Sequence, residues 1–273
     1  MSTQCMAHPR ILLLPDRLSM VSRTLMDVWQ RRGRTFSERS GLLQRADAIR
    51  GIMDESLLFL QCVKGLVLDV GCGNGIPTLS LVQRHQVIGV DFASTMLLRA
   101  KSNLPSAGFL RASIDHLPLR SDSIQAVTCF FVLSDYSNPT NIVNELQRVL
   151  QVQGRIILGD YSSDDDLNNL MDELQVKILN KGREMFRLSP EAMNILVQRS
   201  GLKVKTVKKL SHQLTIPLDT FINQLYLSSV GSEYRERQLN KNQWRKLLGG
   251  WVKGSEVHLT RRFVLVLGEN PNP

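Results

Sequence analysis

The chain has 273 residues, 42% of them hydrophobic and 6% aromatic, with a formal charge of +9. That is the composition of a folded globular protein large enough for one big domain or a domain with insertions. No apolar stretch approaches the roughly 20 residues of a membrane span, and Ile11–Leu14 is too short for a signal-peptide core, so the expected compartment is the reducing cytoplasm.

In chain order, residues 1–20 are irregular, and the pattern from Ser22 to Gln61 is helical. Leu25, Val28 and Trp29 share one face, and a second helix over Ser40–Leu60 sets Leu43, Ala46, Ile49, Ile52 and Met53 on one side. Arg31-Arg32-Gly33-Arg34 reads as a basic turn between them. Residues 1–64 form an N-terminal helical unit and 65–273 the main domain. Strands are expected at 66–70, 86–91, 108–112, 125–131 and 154–160, with helices at 76–84, 94–103 and 139–150. This alternation predicts an α/β fold with a parallel sheet and right-handed crossovers.

After Asp160, the run Ser162–Asp166 starts a helix over Leu167–Lys181, and its carboxylates suit a helix N-terminus better than a metal. Ser189-Pro190 starts another helix that ends near Ser200-Gly201. Lys203–Lys209 alternates as a strand, 216–230 and 238–250 are helical, and 256–267 ends in a fully apolar strand. Helical insertions are therefore placed near 161–200 and 211–256. The four cysteines, at 5, 62, 72 and 129, lack metal or redox spacing, and no metal site is predicted. Cys72 and Cys129 read as small buried residues.

The most informative stretch is Val67-Leu68-Asp69-Val70-Gly71-Cys72-Gly73-Asn74-Gly75. An apolar strand runs into a turn with glycine at every second position, which lets a ligand lie against bare backbone. The following helix start favours a negative ligand group. Asp91 closes the next apolar run twenty residues after Gly71, where a strand-end carboxylate grips ribose hydroxyls. A dinucleotide fingerprint needs glycine at the sixth position, which is Ile76, and a Walker loop needs Gly-Lys-Ser/Thr, which is absent.

Asp69–Gly75 resembles the Asp-x-Gly-x-Gly-x-Gly turn of class I S-adenosyl-L-methionine (SAM) methyltransferases. Gly89–Leu97 resembles the second motif of that family, Ala112–Leu119 its third, and Arg148–Gly154 its turn before strand five. The likeness covers about residues 65–161 and is nearest the ubiquinone/menaquinone C-methyltransferase (type 11) group. It implies a Rossmann-like, seven-stranded, mostly parallel sheet with an antiparallel last strand, and N-terminal helices that cap the pocket. It also implies SAM as cofactor, with Asp69, Gly71, Cys72, Gly73 and Gly75 around the methionine half, Asp91 at the ribose, and Phe92, Met96, Ser113 and Ile114 at the adenine. Ser113 and Gln125 stand where the family usually has Asp, and Ser134-Asp135 replaces the usual dipeptide after strand four.

Candidate catalytic groups lie at the ends of strands four and five: Asp135, Tyr136 and Asp160, with Tyr161 and His116 as further residues in reach. The implied reaction moves a methyl group to a small-molecule or lipid-like acceptor. The charge bears on the partner, because residues 180–273 hold sixteen basic against seven acidic side chains, whereas 65–179 hold eight against twelve. A basic surface suits an acidic acceptor, an anionic membrane face or nucleic acid, or is a solvated exterior. An RNA or protein methyltransferase and a non-catalytic partner-binding subunit stay open as alternatives. Phe131-Val132-Leu133-Ser134 lacks the Pro-Pro-aromatic run of many base methylases.

Overall fold

The computed structural model describes residues 29–30, 46–180, 182, 185–227 and 231–271. Leu25, Val28, the Arg31–Arg34 turn and Leu43 lie outside the described residues. Helix α1 (Ala46–Leu60) leads into β1 (Leu66–Val70), and α2 (Ile76–Leu81), β2 (Gln86–Asp91), α3 (Ser94–Asn103) and β3 (Gly108–Arg111) follow. Next come β4 (Ile124–Phe130), a 3-10 turn (Leu133–Asp135), α4 (Thr140–Val149) and β5 (Leu150–Tyr161). The C-terminal part runs α5 (Asp166–Leu174) with a π turn to Leu179, α6 (Pro190–Arg199), β6 (Lys203–Pro217), α7 (Leu218–Tyr226), α8 (Gly231–Glu236), α9 (Lys241–Leu248), β7 (Val252–Lys253) and β8 (Glu256–Glu269).

The strands form one sheet in the order β3-β2-β1-β4-β5-β8-β6, with the short β7 added against β8. Strands β1 to β5 pair in parallel, and β8 is antiparallel to both β5 and β6. Thus the carboxyl ends of β1, β2 and β4 share one edge, and the order reverses beside β1, where such sheets bind ligands.

Alternate residues of the central strands enter two cores. Leu68, Val70, Val127, Ile156 and Leu158 pack with α4 and α6, through Ile142, Leu146, Met193 and Val197. On the other face Val67, Ala126, Ile157 and Leu265 pack with Ile52, Met53 and Leu60 of α1 and Leu81 of α2. Helix α6, within the span expected as insertion, is therefore a crossover helix of the sheet.

Two differences from the expected elements have local causes. Strand β5 starts at Leu150 because Leu150 pairs with Ile124 before the register shifts at Ala126. The chain bends at Gln153, with φ +62°, and Gly154, where a Cβ would lie 2.7 Å from the Gln151 carbonyl oxygen. Strand β6 continues to Pro217 because β8 pairs with it throughout, as far as Pro217 with Glu256. The sequence pattern fades there because residues 210–217 leave the main sheet core.

Those strand extensions carry a third core of their own. Leu214, Ile216, Val257 and Leu259 pack against Leu167, Leu170 and Leu174 of α5, Phe221 and Leu225 of α7, and Trp244 of α9. The helical insertion is thus a dome built on the outer half of the β6–β8 hairpin. Asp165 fixes it to the sheet. This fully buried carboxylate caps α5 by accepting from Asn168 N at 3.1 Å, and it also accepts from Arg261 Nε at 2.9 Å and Arg262 N at 2.7 Å. A buried ion pair survives only when its remaining hydrogen bonds are made, and removing one partner strands the other charge. Replacement of Asp165 by Ala is expected to cost about 3 to 5 kcal/mol, measured as a lowered urea midpoint. An unchanged midpoint would remove the pair from the account of how the dome is held.

Candidate functional site

The glycine turn leaves β1 at Val70 and is pinned to the neighbouring strand. Gly71 N and Cys72 N both donate to the Val90 carbonyl, at 2.8 and 3.0 Å, and Gly75 N donates to Cys72 O at 2.9 Å. Gly71, Gly73 and Gly75 have φ of +71°, +53° and +85°, the left-handed region that a Cβ disfavours. Their surroundings differ. A Cβ on Gly71 would overlap the Val132 side chain, and one on Gly75 would lie 3.1 Å from Leu104. A Cβ on Gly73 would meet nothing within 4 Å. Gly73 therefore faces open space.

Two carboxylates hold this turn. Asp91, at the end of β2, accepts from Gly73 N through Oδ2 at 3.0 Å and from Ala93 N through Oδ1 at 2.8 Å. Asp69, inside β1, accepts from Thr78 Oγ1 at 2.5 Å and Thr128 Oγ1 at 2.9 Å. Burial pushes both carboxyls up to about 6, and the hydrogen bonds only partly offset it. The threonines were not singled out from sequence. A Thr three residues past the last glycine and another mid-strand carry no signal until β1, α2 and β4 are adjacent. Burial also raises the thiols of Cys72 and Cys129, and nearby carboxylates add to it, those of Asp91 and Asp69 at Cys72 and of Asp160 and Asp69 at Cys129.

The adenine-side residues converge on the same edge. Phe92 and Met96 are buried after β2, and Ser113 and Ile114 are buried after β3. The Ser113 hydroxyl donates to Asp115 Oδ1, which also lies 3.5 Å from His116 Nδ1. Asp115 is therefore brought beside the serine that stands at the usual Asp position. Gln125 is elsewhere. Its side-chain oxygen accepts from Gly65 N at the far, amino end of β1, so its departure from the family pattern has no bearing on the adenine. Gln30 lies at the start of α3, where Thr95 Oγ1 donates to its carbonyl at 3.1 Å. This brings residue 30 within a few residues of Asp91.

At the ends of β4 and β5 the three catalytic candidates separate. Asp160 is buried, and its two oxygens accept from Ser134 N at 2.9 Å and Tyr161 N at 2.7 Å. Burial raises its carboxyl to about 6. Its contacts fix the turn after β4. Asp135 and Tyr136 lie on that turn and are half-buried. The Tyr136 ring packs against the first core, and its hydroxyl is buried with no hydrogen-bond partner among the described residues. Burial and the carboxylates of Asp135, Asp115 and Asp91 raise its phenol, in that order. Phe131, Tyr161 and Phe263 form an aromatic cluster beside them, with ring centroids 4.9 to 5.8 Å apart. Sequence reasoning passed over Phe131 and Phe263 because they read as strand core. No helix among the described residues is long and apolar enough to cross a membrane.

An open backbone cradle between a glycine turn and a β2-end carboxylate fits an amino-acid-bearing nucleoside. Residues 68–158 match the family described as Methyltransferase domain. Over that span the chain is similar to class I SAM-dependent methyltransferases. The chain is 32% identical over 124 residues to an uncharacterised methyltransferase, YcgJ, of Bacillus subtilis (strain 168), covering 43% of this chain and 48% of that protein. It is 27% identical over 139 residues to a demethylmenaquinone methyltransferase of Clavibacter sepedonicus, covering 47% and 57%. The crystal structure of YcgJ aligns with a TM-score of 0.58 at 20% identity, covering 80% of this chain and 98% of that one, a likeness of fold. The sequence match spans about half the length of YcgJ and about a third of an uncharacterised chloroplastic methyltransferase of Arabidopsis thaliana that the chain also resembles.

The methyltransferase turn yields a contrast between two glycines. Gly71→Ala must displace Val132, and it is expected to destabilise the fold. Gly73→Ala costs only the left-handed backbone penalty of about 1 to 2 kcal/mol, yet its methyl enters the cradle. Gly73→Ala is expected to melt within a few degrees of wild type while binding S-adenosylhomocysteine at least about tenfold more weakly, roughly 1.4 kcal/mol. Calorimetry and thermal melting together measure both, and wild-type affinity in Gly73→Ala would place the ligand elsewhere.

Proposed function

We propose that this protein is a SAM-dependent methyltransferase that moves a methyl group to a small-molecule or lipid-like acceptor. The observation that carries the reading is the Gly73 cradle, open on one side and bound by its amide to Asp91 on the other. SAM supplies a methyl group already activated on a sulfonium. The protein has only to orient the acceptor, exclude water and accept a proton where the acceptor carries one. Asp91 is assigned to the ribose, the Gly71–Gly75 turn with Asp69 and Cys72 to the amino-acid half, and Phe92, Met96, Ser113, Ile114 and Asp115 to the adenine. Asp135 is the general base of choice, with Tyr136 beside it. Asp160 positions the turn that carries both. An N-terminal cap on the pocket is supported by Gln30 at the start of α3.

The name of the Clavibacter relative favours a lipid-like acceptor. The RNA reading draws on the basic C-terminal part. Much of that charge on β6 is matched within the chain, however. Lys208 pairs with Glu55 at 2.6 Å, Lys209 with Asp164 at 2.5 Å, and Lys205 with Glu269. Lysines on an edge strand also prevent strand addition by other chains.

Transfer of labelled methyl from SAM to pooled cell extract, separated into RNA, protein, lipid and small metabolites, tests the reading. Label is expected in the lipid or metabolite fraction, with Asp135→Asn lowering turnover at least about a hundredfold and leaving S-adenosylhomocysteine affinity intact. Label in RNA, or none at all, would reject the reading, and unchanged turnover would reject the base.

The raised Asp91 carboxyl gives a pH signature. Ribose hydroxyls donate to the carboxylate, which must be ionised, so binding should be flat above pH 7. Below about pH 6, S-adenosylhomocysteine affinity is expected to fall roughly tenfold per pH unit as one proton must leave. Asp91→Asn should bind weakly and lose most of that dependence. Equal affinity at pH 5 and pH 8 for the wild type would dissociate Asp91 from the ligand.

A further inference from the structure

Arg148 lies in the last turn of α4, and its guanidinium reaches the loop after β3. Nη1 donates to the Leu119 carbonyl at 2.9 Å, and Nη2 donates to the Leu117 carbonyl at 3.1 Å. Glu145, one turn earlier on the same helix, holds the fork by accepting from Arg148 Nε and Nη2, each at 2.7 Å. Glu145 also accepts from Leu117 N at 2.6 Å. One ion pair therefore grips both backbone groups of Leu117. The Leu117 and Leu119 side chains pack in the first core with Ile142 and Leu146. That burial seats the loop but is non-directional. The hydrogen bonds and the two-pronged ion pair set the orientation of its peptide planes.

The residues between β3 and that grip form a closed turn. His116 N donates to Ser113 O at 3.3 Å, which places Ile114 and Asp115 at the centre of a β-turn. Ala112 N donates to the Asp91 carbonyl at 3.2 Å and fixes the entry of the turn to β2, and Leu117 fixes its exit. The Asp115 carboxylate is held through one oxygen only. Oδ1 accepts from the Ser113 hydroxyl and lies 3.5 Å from His116 Nδ1. Oδ2 has no donor among the described residues, and the side chain is 19% exposed. A carboxylate anchored through one oxygen, on a turn fixed at both ends, presents the other oxygen in a defined direction.

We propose that Asp115 Oδ2 selects the base of the bound nucleoside by accepting from a 6-amino group, and that Glu145 and Arg148 are positioning residues that aim it through the Leu117 backbone. The inference deepens the cofactor assignment and rests on the SAM reading of the Gly73 cradle. An amino group donates to a carboxylate, whereas a 6-oxo group meets it lone pair to lone pair. Selectivity is therefore read as a ratio of two affinities. S-Adenosylhomocysteine and its 6-oxo analogue, S-inosylhomocysteine, are titrated into the full-length protein by calorimetry, at a temperature where thermal melts show each variant folded. A role in stability alone lowers the melting point or weakens both compounds alike, and leaves the ratio unchanged.

The wild type is expected to bind the 6-amino compound at least about tenfold more tightly. Asp115→Asn, whose amide can donate to a 6-oxo group, should shrink that preference at least about tenfold. Arg148→Met should shrink it at least about threefold, and Arg148→Lys, which keeps the charge and loses the fork, by less. Glu145→Gln, which keeps an acceptor for Leu117 N and loses the ion pair, should move it in the same direction. Added to Asp115→Asn, Arg148→Met should change the ratio by no more than about twofold, because residues that act through one another are not additive. Equal binding of the two compounds by the wild type removes Asp115 as the selecting group. A wild-type ratio in both Arg148→Met and Glu145→Gln, or additive effects in the double variant, overturns the positioning role. Failure of the wild type to bind either compound overturns the SAM reading itself, and this inference with it.

Discussion

The site depends on one contact, the hydrogen bond from the Gly73 amide to the buried Asp91 carboxylate. It joins a bare turn after β1 to the end of β2, and so holds open a gap that side chains would otherwise fill. Val90 reinforces it by accepting two further amides from the same turn. A carboxylate this buried is unfavourable unless several donors surround it. In this structure Asp91 has two amides, and a nucleoside's hydroxyls would complete the set. The same interaction therefore shapes the cradle and creates a demand for its occupant.

The second half of the site is built by a different device. Strand β8 enters the sheet antiparallel between β5 and β6 and runs past the edge at which the parallel strands stop. Its outer half, with that of β6, supports a separate apolar core of helices. The buried Asp165–Arg261 pair sits at the junction, with the guanidinium 4.9 Å from the Tyr161 ring centroid. That junction is thus built by elements far apart in sequence, whereas the glycine turn and the strand ends beside it come almost wholly from residues 69–115.

This difference explains what could be read in advance. Strands β1 and β2 and helix α3 match their expected bounds because alternating apolar runs ending in glycine or an acid leave little freedom. The helix starts at Ser189-Pro190 and after Ser162–Asp166 were legible from capping chemistry, and the Ser189 and Asp165 side chains do cap α6 and α5. The length of β6 was not legible, because its outer half alternates against a core that the helical dome supplies. Gln125 stands where the family usually has Asp, and the parallel register places it at the opposite end of the sheet from the glycine turn, against Gly65.

The linear chain by itself determined the glycine turn, the acid twenty residues beyond it and the alternation that sets both at one sheet edge, because these are local patterns with a fixed geometric consequence. Only the tertiary structure decided which carboxylates are engaged by backbone amides, that Thr78 and Thr128 flank Asp69, and that Phe131, Tyr161 and Phe263 cluster at the ends of β4 and β5. Those relations come from strand order and from the crossing of a distant segment. No periodicity along the chain encodes a contact between residues whose separation is set by a fold.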